Sequence, residues 1–161
     1  MNPIRSRGRS SIRTDTTRQI SVVDPLQHFL DAQALTYETA LAELRAGRKR
    51  THWVWFIFPQ LAGLGTSPRA QRFAIPSLRG AERYVAHPVL GSRLITCSKA
   101  ILTHEGVTAA GIMGTVNAVK LQSSMTLFAQ ASNAPAVFAE VLARYFDGQP
   151  DERTLALLRS R

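Results

Sequence analysis

Apolar residues recur at helical spacing along most of this chain, and no segment alternates apolar and polar residues between hairpin turns. That pattern restricts the fold to helices packed on helices. Asp24-Pro25 supplies a start signal, a carboxylate that can cap free amides and a proline preset for the first helical position. Leu26, Phe29, Leu30, Tyr37, Leu41 and Leu44 follow as one apolar stripe, which Gly47 stops. Gln33 falls inside the stripe, where a buried amide must find partners or cost about 1–3 kcal/mol. Bonding to a neighbouring loop and lining a polar pocket are both open to it.

Ser67-Pro68 and Ser77 open further helices, and His87-Pro88 marks a junction. From Pro88 to Gly106, Leu90, Leu94, Ile95, Cys97, Ile101 and Leu102 form a broad apolar face, which points to a central helix. Asn117 reads as the cap of a helix with Ala118, Leu121, Met125 and Phe128 inside; Asn133 and Pro135 open the next and Asp151 the last. The expected fold is all-α, with about six to eight helices.

A chain of 161 residues with 45% hydrophobic content supports one domain. The reading places it over residues 21–161, behind a disordered basic tail over 1–20. The longest purely apolar run, Trp53 to Phe58, is far short of the roughly 18–20 residues that span a bilayer, and no signal-peptide core follows the N-terminal arginines. No membrane partner is expected. Cys97 is the sole cysteine, which excludes an internal disulfide or a cysteine-based metal cluster and suits a reducing cytoplasm. The protein is expected to act as a monomer. Its net charge of +9 invites a nucleic-acid partner, but Arg5, Arg7, Arg9, Arg13 and Arg18 against Asp15 put nearly half of that excess in the tail.

The densest aromatic cluster lies in GRKRTHWVWFIFPQLAGLG, Gly47 to Gly65, directly after three cations. Arg48, Lys49, His52, Trp53, Trp55 and Gln60 form the first candidate constellation. If the segment is helical, Trp53 and Trp55 point roughly 200° apart, so one can enter the core while the other borders a cleft. Burial alone justifies most of the run, since each large aromatic contributes about 1.5–3 kcal/mol. In the functional reading, a ring face stacks a planar ligand while adjacent cations hold phosphate or carboxylate.

Lys120, Ser123 and Ser124 form the second constellation, neighbours on a helix by their spacing. They suit anion binding or plain helix surface. A Ser–Lys pair can supply nucleophile and base, but Ser-x-x-Lys motifs run in the opposite order, and nothing here spells out a reaction. His28, His52, His87 and His104 lack metal-ligand spacing, so no metal is expected; His104 sits near a helix C-terminus, where partial positive charge is favourable. Without a phosphate-binding loop or a dinucleotide fingerprint, no cofactor is expected.

The strings YETALAELRAGRKRTHWVWFIFPQLAGLG, HPVLGSRL and KLQSSMTLF, in that order, make the chain resemble the bacterial family of unknown function DUF 1810, proteins often mislabelled calpastatin. The resemblance covers roughly Asp24 to Leu158. It implies a small all-α protein in a right-handed superhelical arrangement, with helix for the ambiguous aromatic segment, and no established activity. Where the family pattern carries an acidic residue before KLxSSMTLF, this chain has Asn117, which keeps a capping role but offers no carboxylate. The leading expectation is a domain that binds a small anionic or nucleotide-like ligand through the aromatic-basic segment and Lys120. The alternatives are a nucleic-acid-associated protein using the tail with Arg48 to Arg50, and an interaction module without a ligand.

Overall fold

Two helices replace the single one expected between Asp24 and Gly47: α1, Gln27–Ala34, and α2, Tyr37–Ala46. The computed structural model describes residues 24–161, so the basic tail over 1–20 lies outside the described residues. The apolar stripe is continuous, but its halves bury against different partners. α1 packs on α3, Val54–Ile57, whereas α2 packs on α6, Leu90–Ile101. The corner between them leaves Leu35 93% exposed. Gln33 anchors the end of α1: its amide donates to the Phe56 carbonyl at 2.7 Å and to the Tyr84 hydroxyl at 3.1 Å, and its oxygen accepts from Arg93 at 3.3 Å. These partners lie on other helices, not on the neighbouring loop that one reading of Gln33 expected.

The remaining helices are α4, Pro68–Arg72; α5, Leu78–Ala86; α7, Ala109–Met113; α8, Thr115–Ala129; α9, Val137–Phe146; and α10, Glu152–Arg159. The described residues thus form ten helices in one all-α domain, more than the six to eight expected. The excess comes from the break at Leu35 and from one-turn elements such as α3, too short to leave a periodic signature. The only departure from helix and loop among the described residues is one parallel bridge between Leu61 and Ile75. None of these helices is long and apolar enough to cross a membrane.

Caps explain where several helices start. Ser67, Ser77 and Asp151 accept from the amides of Ala70, Gly80 and Thr154, as the sequence signals. Three other expected caps are used differently. Asp24 accepts from Leu26 N–H at 2.9 Å in the turn before α1, whose own N-cap is Leu26. Asn117 lies inside α8 and donates to the Met113 carbonyl, and Asn133 donates to the Glu82 carbonyl before α9 begins. At the His87-Pro88 junction the imidazole takes the capping role, with Nδ1 accepting from Val89 and Leu90 N–H. His104 donates through Nε2 to the Leu44 carbonyl at the C-terminus of α2, 2.6 Å away.

The centre of the fold is shared. α6 buries Leu90, Leu94, Cys97 and Ile101 as expected, and burial pushes the Cys97 thiol up to about 12 against the opposing pull of Arg45 and Arg93. α8 is at least as central, because α3, α5, α7, α9 and α10 all pack on it. Its residues Ser123 to Phe128 are buried without interruption, which a helix shows only when neighbours cover it on nearly every side. The N-terminal half of α8 is different. Val116, Val119 and Lys120 reach the surface there.

Candidate functional site

The aromatic-basic segment begins where α2 ends. Gly47 adopts a left-handed conformation, φ 78°, and the chain turns back so that Arg50 and Thr51 face the Glu43 carboxylate. Glu43 Oε1 accepts from Arg50 N–H at 2.8 Å, Thr51 N–H at 3.0 Å and the Trp53 indole N–H at 2.8 Å, while Oε2 accepts from the Thr51 hydroxyl at 2.7 Å. Burial pushes the Glu43 pKa up, but these donors together outweigh it and hold the carboxyl at about 2. Trp53 is thereby fully buried with its polar atom satisfied.

Lys49 folds over this structure. Its Nζ lies 5.0 Å from the Trp53 ring centroid and donates to the Thr51 carbonyl. Burial lowers the Lys49 pKa, Glu43 opposes that, and nearby Lys120 adds to the lowering. The expected triplet of cations is therefore divided: Arg48 and Arg50 are exposed, and Lys49 is half-buried. His52 is exposed beside them.

Trp55, two residues on, sits within the single turn of α3 and is half-buried. Lys120 Nζ lies 4.8 Å and Arg69 Cζ 5.1 Å from its ring centroid, both in cation–π range. Its indole N–H is buried without a hydrogen-bond partner, as is the hydroxyl of Ser124. Trp53 enters the core, as the N-cap of α3 and not as part of the helix, whereas Trp55 is half-buried and does not itself line the cleft beside Lys120.

The cleft opens on the far side of Lys120 and has a volume of about 540 Å³. One wall is the loop from Gln60 through Leu64 to Ser67, with Ala70 behind it. Gly65 lets this loop close onto α4, since a Cβ there would come within 2.5 Å of the Ala70 methyl. The opposite wall is the outer face of α8, with Val116, Val119, Lys120 and Ser123. The first turn of α10 closes one end with Asp151 and Arg153. Thr126 fixes that turn: its hydroxyl donates to the Gln122 carbonyl and accepts from Asp151 N–H, both at 2.8 Å.

The charge of the cleft is uneven. Lys120 and Arg153 make no ion pair with a carboxylate among the described residues, and burial lowers the Lys120 pKa. Asp151 is the one acid among the described lining residues, and its Oδ2 accepts from the Thr154 amide and hydroxyl. Ser123 donates to the Val119 carbonyl at 3.2 Å, so its hydroxyl hydrogen serves the helix backbone instead of a base. The arrangement suits holding an anion through cations and hydroxyls.

The structure thus gathers Gln60, Lys120 and Ser123 on one cleft, brings Trp55 against it through Lys120, and sets Lys49 and Trp53 just behind. Gln33 and Ser124 are buried away from solvent, and Arg48 and His52 point outward. Glu43, Arg69, Arg153 and the two valines escaped the sequence reading. Glu43 had a legible signal, an acid on the buried face of α2 between Ala40 and Leu44. Arg153 had none, because only the docking of α10 brings it to α8.

Comparison with curated proteins yields no match. Among solved structures, the conserved hypothetical protein Rv1873 from Mycobacterium tuberculosis is 48% identical, with a TM-score of 0.82 over 84% of this chain and 99% of that one. The family described as Protein of unknown function (DUF1810) matches residues 23–158, so the chain belongs to that family.

Proposed function

We propose that the protein is a monomeric, cytoplasmic binding domain for a small organic anion, held in the cleft between α8, the Gln60–Ser67 loop and the start of α10. The observation that carries this reading is the pair Lys120 and Arg153 on one cleft of about 540 Å³, two cations against the single carboxylate of Asp151 among the described lining residues. That volume falls within the roughly 300–1,000 Å³ range of small-molecule sites. The nucleotide-like variant of the reading needs a free aromatic face. A base stacking on Trp55 would share the ring with Lys120 and Arg69, so the anion is the better supported part.

A ligand that binds only the folded state raises stability by RT ln(1 + [L]/Kd), about 2.7 kcal/mol at a hundredfold excess over Kd. A thermal-shift series with phosphate esters and carboxylates should therefore raise Tm for the native chain, and Lys120→Ala should remove the response. No rise with any anion, or an equal rise in Lys120→Ala, would sink the cleft as the site. DNA binding that falls steeply with salt and ignores Lys120→Ala would instead favour the alternative built on the basic tail with Arg48 to Arg50.

A further inference from the structure

Val116 and Val119 are 69% and 55% exposed, yet both line the cleft beside Lys120. They are spaced three apart, with Lys120 next to Val119, so apolar surface and cation share one strip of α8. Leu64 of the loop and Ala70 of α4 line the same cleft. A site for a bare inorganic ion gains nothing from exposed valines, and a site for a sugar-like body would line that wall with hydrogen-bonding groups. The volume points the same way. About 540 Å³ is many times the roughly 30 Å³ that a water molecule occupies, so an ion on Lys120 leaves most of the cleft unfilled.

Polar groups line the same cleft. Lys120 and Arg153 supply fixed positive charge, and the Thr115 and Ser67 hydroxyls and the Gln60 amide add donors. Ser67 Oγ accepts from Ala70 N–H, which leaves its own hydrogen free to donate outward. A phosphomonoester, with three terminal oxygens and up to two charges, matches this number of donors better than a carboxylate does.

Resting on the reading of the cleft as an anion site, we propose that its ligand is an amphiphilic phosphomonoester. The phosphate sits on Lys120 and Arg153, and an unbranched or aromatic hydrocarbon body lies on Val116, Val119 and Leu64. Lys120 connects the site to Trp55, because drawing its ammonium toward a phosphate takes it off the indole. Occupancy should therefore change tryptophan emission.

The test titrates the full chain with inorganic phosphate, glycerol phosphate, butyl phosphate and pentanoate, read by calorimetry and by tryptophan fluorescence. Butyl phosphate should bind at least about tenfold more tightly than glycerol phosphate, the gain expected when about two methylenes leave water. Val119→Ser should lower that ratio, because butyl phosphate loses part of the apolar surface it rests on while Val116 and Leu64 keep the rest. Equal affinity for butyl and glycerol phosphates would overturn the apolar assignment and leave the anion site intact. Pentanoate binding as tightly as butyl phosphate would overturn the phosphate assignment. Binding by none of the four would overturn this proposal and the anion reading beneath it together. If Val119→Ser fails to fold, the native-chain ratio of butyl to glycerol phosphate still decides.

Discussion

Trp53 and Trp55 are two residues apart in one aromatic run, and they do opposite things. Trp53 is closed off completely, with its N–H on Glu43 and Lys49 over its ring. Trp55 keeps some exposure, leaves its N–H without a partner, and carries Lys120 and Arg69, one of which lines the cleft. The contrast teaches that an aromatic cluster cannot be assigned as a whole to core or to site. Each ring has to be read through its polar atom: Trp53, whose N–H is satisfied by a buried acid, is part of the core, whereas Trp55, whose N–H lacks a partner among the described residues, lies half-buried beside two cations.

The largest effect should come from truncating the closed ring. Trp53→Ala should cost about 3–5 kcal/mol in chemical denaturation, while Trp55→Ala should cost clearly less. Equal losses would erase the distinction between the two.

Acid offers a second way to separate them. Glu43 has a folded pKa of about 2, below its ordinary 4.5, so the stability it contributes is complete above 4.5 and is lost as pH falls from there towards 2. Glu43→Gln should flatten that part of the pH–stability profile at the cost of lower stability near neutrality. An unchanged acid slope would show that the donors around Glu43 do not hold Trp53 in place. The anion response of the cleft should not follow this carboxylate, because Glu43 is not among its lining residues.

The smallest change in stability should come from Lys120→Ala, within about 0.5 kcal/mol of the native chain. Lys120 makes no ion pair among the described residues, and the repulsion with Lys49 that its removal relieves offsets the lost contact with the Trp55 ring. A loss above 2 kcal/mol would assign Lys120 to the core with Trp53 and not to the open side with Trp55.

The all-α class was legible because it depends on local periodicity, and Ser67, Ser77 and Asp151 were legible as caps because a cap acts on amides only a few residues away. Asn117 and Asn133 carried the same local signal and were spent elsewhere, on Met113 and Glu82 carbonyls. The break at Leu35 was hidden for a related reason: no proline or glycine marks it, and besides a local bond from Thr36 N–H to the Gln33 carbonyl it is held by the distant partners of the Gln33 side chain. For the candidate cleft, Lys120, Ser123 and Gln60 could be named from composition and spacing, and so could Trp55 beside Lys120. Arg153 could not, since its place at the cleft depends on Thr126 gripping the amide of Asp151 across two helices.

The lone thiol of Cys97 has a use of its own. Held protonated by burial on α6, it is shielded from alkylating reagents as long as the helices stay together. Its modification then waits on a transient parting of α6 from its neighbours, and the dependence of the labelling rate on denaturant would report how much of the molecule must open. With no second cysteine in the sequence to compete, every label incorporated counts one such opening at one known place in the centre of the protein.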